Sequence, residues 1–260
     1  MNHRFTRAIV RPPAPTFADG CSTADLGAPD VALALQQHQA YCDALERAGC
    51  ELTVLPALHA YPDSTFVEDA ALILSGRGAI LTRPGAQSRA GEVAAIRATI
   101  TEFFPDVAEI VAPGTLDAGD VCEAATHVFI GLSRRTNEEG ARQLAAWLAN
   151  HGYTSSTVDV RDIPEILHLK SGMCCLGGNR LTAISALADH PAFADYEVIS
   201  VDEEEAYAAN CLQVNDVVLV PAGFPKIAAK LRNKGYTLEV IAMSEYRKMD
   251  GALTCLSLRF

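Results

Sequence analysis

The sequence repeats one supersecondary pattern along its length, and this repetition limits the fold more than any other feature. In each copy an apolar, strand-like run ends in a loop of Pro, Gly, Arg or Asn, a helix-like stretch follows, and a second apolar run completes the unit. The five copies open at AIVRP (residues 8–12), AILTRP (79–84), VFIGLSRRTN (128–137), LTAIS (181–185) and VVLVPAG (217–223). Additional strand-like runs before the later copies make the unit strand, strand, helix, strand. Such self-similarity favours a closed ring of units, although irregular spacing leaves an open doubly wound sheet as the alternative.

The chain has the composition of a single globular α/β domain. Hydrophobic residues make up 49% and charged residues 20%, which excludes wholesale disorder. No low-complexity linker interrupts the 260 residues, so we expect one catalytic domain over residues 1–260. The first helix-like stretch, residues 31–49, has Asp30 at a favourable N-cap position and Gly49 at its end.

The net charge, the absence of apolar targeting segments and the cysteine spacing limit the partners, the location and the metal sites that we expect. The 21 basic and 32 acidic residues give a net charge of −11, which argues against nucleic acid and permits a cationic substrate. We expect neither a signal peptide nor a membrane span, and therefore a cytoplasmic protein. The eight cysteines include no CxxC pair, so reduced thiols are expected and a structural zinc site is not.

Carboxylates gather beside an apolar strand at Asp63, Glu68 and Asp69, and again at Asp117 and Asp120 in TLDAGD. The first group predicts a pocket for a cation, because carboxylates bind the planar guanidinium fork through parallel hydrogen bonds. A solvated strand edge is the alternative. The second group alone predicts only a turn.

Two further candidates come from strand alternation. In LHLKSG, alternation places His168 on the face opposite its flanking leucines. A lone histidine is more often structural than catalytic. In the C-terminal run, alternation places Cys255 on the more polar face with Ser257, which is unusual for a thiol that only fills a core.

Two arginines follow apolar runs and precede helices, in SR and SRRTN. Arg89 and Arg135 thus lie in loops where binding residues tend to gather. Ordinary solvated arginine is the alternative.

Taken together, these segments resemble the dimethylarginine dimethylaminohydrolase family of the guanidino-group-modifying superfamily. The resemblance runs from about residue 8 to the end, and its motifs occur in the family's order: PDSTFVEDAAL, TRPGAQSRAGE, TLDAGD, GLSRRTNEEGA, LHLKSG, YAANCLQVN and SEYRKMDGALTCLSL. It implies a five-bladed α/β propeller of ββαβ units with pseudo-fivefold symmetry. It also implies hydrolysis of Nω-methylated arginines to citrulline and methylamine or dimethylamine.

The resemblance implies a role for each matched residue. Cys255 is expected to be the nucleophile and His168 the general acid and then base, with Asp117 supporting the histidine. The residues expected to bind substrate are Cys21, Asp63, Glu68, Asp69, Arg89, Arg135 and Met249. Arg89 and Arg135 would grip the α-carboxylate, whereas Cys21 and Met249 would bind the α-amino group through backbone carbonyls. Cys21 stands where relatives often have Leu, which a backbone contact tolerates.

The implied chemistry needs no metal or organic cofactor. A thiolate attacks the poorly electrophilic guanidinium carbon, and His168 serves the departing amine and then the water. Zinc would be expected to inhibit by capturing Cys255 with His168. The partners expected are a small-molecule substrate and, at most, a second copy of the chain, as monomer or homodimer. An arginine or agmatine deiminase of the same superfamily, or a non-catalytic propeller binding protein, remain the alternatives.

Overall fold

Five separate three-stranded sheets make up the protein, whose computed structural model describes residues 4–260. In each sheet the central strand pairs antiparallel with one neighbour and parallel with the other. A connection that contains a helix or helical turns joins the two parallel strands. The repeated unit is therefore ββαβ, as the sequence predicts.

The first three units contain these elements: β1 (Arg7–Val10), α1 (Val31–Arg47), β2 (Glu51–Val54); β3 (Ala71–Leu74), β4 (Gly78–Leu81), α2 (Ala90–Phe103), β5 (Val107–Glu109); and β6 (Val121–Ala124), β7 (His127–Leu132), α3 (Glu138–Asn150), β8 (Thr154–Asp159). The remaining elements are α4 (Leu169–Gly172), β9 (Met173–Cys175), β10 (Arg180–Ile184), α5 (Ser185–Ala188), β11 (Glu197–Val201); and β12 (Leu212–Val214), β13 (Val217–Pro221), α6 (Pro225–Asn233), β14 (Thr237–Ile241), α7 (Ser244–Arg247) and β15 (Ser257–Arg259).

The last strand closes the ring by completing the first sheet. The order there is β15-β1-β2, and β15 pairs antiparallel with β1 so that Ala8 lies opposite Arg259. Both ends of the chain thus share one sheet. This arrangement confirms the five-unit α/β propeller over the open doubly wound sheet.

Burial explains why some strands are more apolar than others. The strands β3 and β4 are buried at every residue, whereas the third strands β2, β5 and β14 are largely half-exposed or exposed. The first two strands of each unit therefore form the packed interior, and the third strand forms the outer edge. Hydrophobic burial of the inner strands supplies most of the stabilisation.

A short helical turn leads into the first strand of every sheet. We call these segments the lead-in turns: Val67–Ala70, Ala118–Asp120, Leu169–Gly172, Glu203–Ala209 and Leu253–Leu256. Because they occupy equivalent places in the five units, they lie at one end of the ring and contact their neighbours. Most of the predicted catalytic chemistry lies on or beside them.

Three details of the sequence interpretation are wrong. The LHLKSG segment is not a strand: His168 is the N-cap of α4, where its N–H donates to Ser171 Oγ at 3.3 Å. Cys255 does not lie on a strand face either, because residues 253–256 form a 3₁₀ turn and only Ser257–Arg259 is strand. In the fourth unit, LADHPAFADY contains only the last two residues of α5 and the 3₁₀ turn Pro191–Phe193 rather than a continuous helix.

The N-cap of α1 agrees with the sequence and gives a stability prediction. Asp30 Oδ1 accepts from Ala32 N at 2.8 Å and Leu33 N at 3.1 Å. Asp30→Ala should lower the free energy of unfolding by ~1 kcal/mol, because helix N–H donors lose their acceptor. Urea unfolding would measure this, with Glu46→Ala at the exposed far end of α1 as the control. Equal destabilisation by both variants would contradict the capping role.

Candidate active site

One small cavity brings together eight of the ten residues expected at the site. Its lining residues are Cys21, Asp63, Phe66, Asp69, Arg89, Arg135, Leu167, His168, Met249, Asp250, Gly251 and Cys255. They come from the lead-in turns and from loops between strand and helix. Asp117 and Glu68 lie outside this lining.

His168 is held in a ring of carboxylates. It is 6% exposed, and its Nε2 lies 3.0 Å from Asp117 Oδ2. Burial disfavours the charged ring, but Asp69, Asp120 and Asp117 outweigh burial and raise the pKa of His168 to about 9. At neutral pH the side chain is therefore an imidazolium with a proton to give.

Asp117 connects His168 to the loop that contains Gly85. This fully buried carboxylate accepts from Gly85 N at 2.8 Å through Oδ1, while Oδ2 faces His168. Arg135 Nη1 lies 3.9 Å from the same Oδ2. Asp117 thus fixes the ring orientation, which is the geometry the sequence interpretation requires.

Cys255 faces the cavity as a neutral thiol in the free protein. Burial and the nearby carboxylates of Glu68 and Asp69 raise the pKa of Cys255 to about 12. Its N–H donates to Ala252 O at 3.2 Å within the 3₁₀ turn. The positive charge of Lys170 favours the thiolate but is outweighed by burial and the carboxylates.

Asp69 is an ionised carboxylate despite complete burial. Burial opposes its charge, but Arg89 and His168 lower the pKa of Asp69 to about 2. Arg89 Nη1 donates to Asp69 at 2.5 Å, and Gly119 N donates at 2.9 Å. Arg89 is itself held by Glu92 at 2.7 Å and is 5% exposed. In this structure Arg89 positions Asp69; its contact with a substrate carboxylate stays a prediction.

The remaining substrate-binding candidates border the mouth of the cavity. Asp63 accepts from Cys21 N, with both carboxylate oxygens at 3.1 Å. Gly20 permits this approach, because a Cβ at that position would lie 2.3 Å from Asp63 Oδ1. Cys21 is exposed and Met249 is 4% exposed. The Arg135 side chain is 18% exposed and is the more accessible of the two arginines.

Glu68 points away from the small cavity. One oxygen pairs with Lys170 at 2.7 Å and Arg259 at 3.3 Å, and all three residues line a second cavity of about 490 Å³. The other oxygen is buried without a hydrogen-bond partner among the described residues. Glu68 acts on Cys255 through its charge, and direct contact with substrate stays a prediction.

Three buried residues support the site but were given no role by the sequence interpretation. Asp120 lies in TLDAGD and Asn210 in YAANCLQVN, but the neighbouring sequence does not indicate which distant residues they contact. Asn210 Oδ1 accepts from Thr254 N at 3.1 Å, and its amide donates to Lys170 O at 2.7 Å. Glu92 sits three residues after Arg89, which is the helical spacing of an ion pair and could have been noticed.

A metal ion has one candidate position within residues 4–260. Ligand atoms of Asp69, Asp117 and His168 lie within 4.8 Å of one another. Each already has a protein partner, and the raised pKa of His168 keeps its ring protonated at neutral pH. A metal would therefore have to displace a proton and existing hydrogen bonds.

Comparison with known proteins identifies the family. No family model matches the chain. The N(G),N(G)-dimethylarginine dimethylaminohydrolase of Pseudomonas aeruginosa is 46% identical over 98% of this chain and 100% of its own. The enzyme of that name from Streptomyces coelicolor is 33% identical, over 97% of this chain and 96% of its own.

A solved structure agrees with these relatives. The Pseudomonas aeruginosa enzyme, as a cysteine-to-serine mutant complexed with citrulline, superposes with a TM-score of 0.96 at 45% identity, covering 99% of this chain and all of that one. The similarity in sequence and fold extends over essentially the whole chain. The chain therefore belongs to the dimethylarginine dimethylaminohydrolase family.

Proposed function

We propose that the protein hydrolyses Nω-methylated arginines, releasing citrulline and dimethylamine or methylamine. The observation that carries the proposal is one cavity lined by a thiol, a protonated histidine and buried carboxylates: Cys255, His168, Asp63 and Asp69. A relative of 45% identity is known as a complex with citrulline, the product expected here. The histidine-to-glycine variant of a related enzyme forms an adduct with S-methyl-L-thiocitrulline, which resembles the arginine side chain.

Substrate charge activates the nucleophile. Negative charge on Glu68 and Asp69 opposes the thiolate in the free protein. A bound guanidinium cation places a positive charge beside the thiol, which offsets this repulsion and lowers the pKa of Cys255. The thiol proton passes to solvent, and the thiolate attacks the guanidinium carbon, forming a C–S bond as the π electrons of that carbon move onto a nitrogen.

His168 then moves protons in both halves of the reaction. The imidazolium gives its proton to the methylated nitrogen as the C–N bond breaks, which leaves an S-alkylthiouronium on Cys255. The neutral ring accepts a proton from water as the water oxygen bonds to the same carbon. The C–S bond then breaks with its electron pair on Sγ, the hydroxyl proton of the product passes to that sulfur, neutral citrulline leaves, and the Cys255 thiol is restored. Asp117 keeps the ring in place throughout, as the third member of a triad does.

Arginine side chains supply specificity for an α-amino acid. Arg135 is positioned to bind a carboxylate at the cavity mouth, with Arg89 as the buried second arginine. The backbone carbonyls of Cys21 and Met249 are proposed to bind the α-amino group. Together these contacts would set how far the guanidinium carbon reaches toward Cys255.

We further infer a cytoplasmic protein that acts alone or as a homodimer. None of the helices in residues 4–260 combines the length and apolar character of a membrane span. The net charge of −11 makes nucleic acid a poor partner.

A substrate panel tests the activity. The protein should form citrulline from asymmetric dimethylarginine and monomethylarginine and much less from arginine, and it should form little N-carbamoylputrescine from agmatine. Cys255→Ser should lose essentially all turnover, because a neutral hydroxyl is a far weaker nucleophile. Cys211→Ala, at a buried thiol away from the cavity, is the control and should keep activity. Preferred turnover of arginine or agmatine would indicate a deiminase, and no turnover of any compound would indicate a binding protein.

The state of the free thiol gives a pH prediction. In a Cys21→Leu background, which removes the exposed thiol, inactivation by iodoacetamide should keep accelerating through pH 9. The reason is that the thiolate fraction rises about tenfold per pH unit below a pKa raised to about 12. Residual activity after timed exposure measures the rate. A plateau below pH 8 would instead show a preformed thiolate.

The carboxylate contact gives a specificity prediction. Arg135→Ala should lower kcat/KM for methylarginines about 10²-fold, because a hydrogen bond to a charged group contributes roughly 1.5–3 kcal/mol. N-methylated agmatine lacks the carboxylate and should lose little, so the ratio between the two substrates shrinks. The adjacent, exposed Arg134→Ala is the matched control. Equal losses on both substrates would remove Arg135 from carboxylate binding.

A further inference from the structure

Asp120 is a buried carboxylate that the proposed mechanism does not use, yet it contacts both sides of the site. It is 0% exposed and accepts three hydrogen bonds from two different units of the ring. Oδ1 accepts from Leu169 N at 2.9 Å, while Oδ2 accepts from Ser133 Oγ at 2.7 Å and Thr136 Oγ1 at 2.6 Å. Both carboxylate oxygens are therefore fully engaged.

The hydroxyls of Ser133 and Thr136 connect Asp120 to the loop that carries Arg135. Ser133 Oγ donates to Asp120 and accepts from Arg135 N at 2.9 Å and Thr136 N at 3.2 Å. Thr136 Oγ1 in turn accepts from Asp117 N at 3.2 Å. The backbone that carries Arg135 is thus folded around the Asp120 carboxylate.

On its other side Asp120 holds the segment that carries His168. Leu169 N is the first N–H of α4 and directly follows the histidine. Asp69, Asp117 and Asp120 are the carboxylates whose charge favours the His168 imidazolium, and Arg89, Arg135 and Cys255 line the same cavity. Gly131 makes room for this contact, because a Cβ there would lie 2.8 Å from Asp120 Oδ1 and 2.7 Å from Leu169 Cβ.

The same bond recurs at two other junctions between units. Asp69 accepts from Gly119 N in the next lead-in turn, and Asn210 accepts from Thr254 N beside Cys255. The recurrence at equivalent positions indicates that these bonds set the register of neighbouring turns. Asp120 is the member that binds the backbone N–H of the residue directly after His168.

We propose that Asp120 is a positioning residue that couples His168 to the Arg135 loop. Its carboxylate fixes the position of His168, the proposed general acid, relative to Arg135, the arginine proposed to bind the substrate carboxylate. The proposal rests on the roles given above to those two residues. Asp120 acts through them and touches no substrate. Loss of Asp120 should therefore disturb both functions, whereas loss of Ser133 should disturb only the loop.

The test compares Asp120→Asn, Ser133→Ala and the control Asp106→Asn, which makes the same charge change at an exposed position. The first readout is the NMR titration of the His168 ring in protein without substrate, with the signal assigned from His168→Gly. Asp120→Asn should lower the pKa of His168 by about one unit or more, since an adjacent carboxylate stabilises the imidazolium. Ser133→Ala and Asp106→Asn should leave that titration unchanged.

The second readout is the kcat/KM ratio between a methylarginine and N-methylated agmatine. Asp120→Asn should lower kcat/KM for the methylarginine about 10²-fold and shrink the ratio. Ser133→Ala should shrink the ratio about tenfold, and Asp106→Asn should not change it. An unchanged titration in Asp120→Asn, or an unchanged ratio in Ser133→Ala, would overturn the coupling.

The test also distinguishes a failure of Asp120→Asn to fold from a failure of the proposed function. If Asp120→Asn does not fold, Ser133→Ala and Thr136→Val still test the loop, and an unchanged ratio in both overturns the proposal. If the unmodified protein turns over no methylarginine, the proposed function fails. The titration and its two controls then still decide whether Asp120 acts on His168, because they need no turnover.

Discussion

The active site depends on hydrogen bonds in which a buried side-chain oxygen of one unit accepts a backbone N–H from the next lead-in turn. Short helical turns begin with N–H groups that have no partner within the turn, and buried carboxylates need donors. Joining the two satisfies both at once. Because His168 adjoins Leu169 and Cys255 adjoins Thr254, the bonds from Asp120 and Asn210 also position the reactive side chains.

Burial and buried carboxylates together set the protonation of His168 and Cys255. Burial raises the pKa of Cys255 and opposes the charge of His168, while the negative potential of the carboxylates disfavours the thiolate and favours the imidazolium enough to outweigh burial. Arg89 supplies the compensating charge that keeps Asp69 ionised inside the protein. In the proposed mechanism, this polarity keeps a proton on His168 for the leaving amine and disfavours the Cys255 thiolate until a cation binds.

How far the sequence predicts this structure depends on the range of the interaction. The N-cap at Asp30 and the five units follow from local pattern, and the family resemblance groups the site residues. Alternation misassigned the segments around His168 and Cys255, because an alternation over so few residues does not separate a strand from a single helical turn. The partners of Asp120 and Asn210 are 49 and 44 residues away, so no local signal reveals them. The Glu68 side chain points toward Lys170 and Arg259, which are also far from it in the sequence.

A ring of equivalent turns suits a reaction that needs several groups at one point. Each lead-in turn carries or adjoins a different group of the site: Asp69 in the first, Asp120 in the second with Asp117 just before it, His168 just before the third, Asn210 just after the fourth, and Cys255 in the fifth. Cys255, the proposed nucleophile, precedes β15 by two residues, and β15 pairs with β1 to close the ring. The position of Cys255 relative to the other four turns therefore depends on the pairing of β15 with β1.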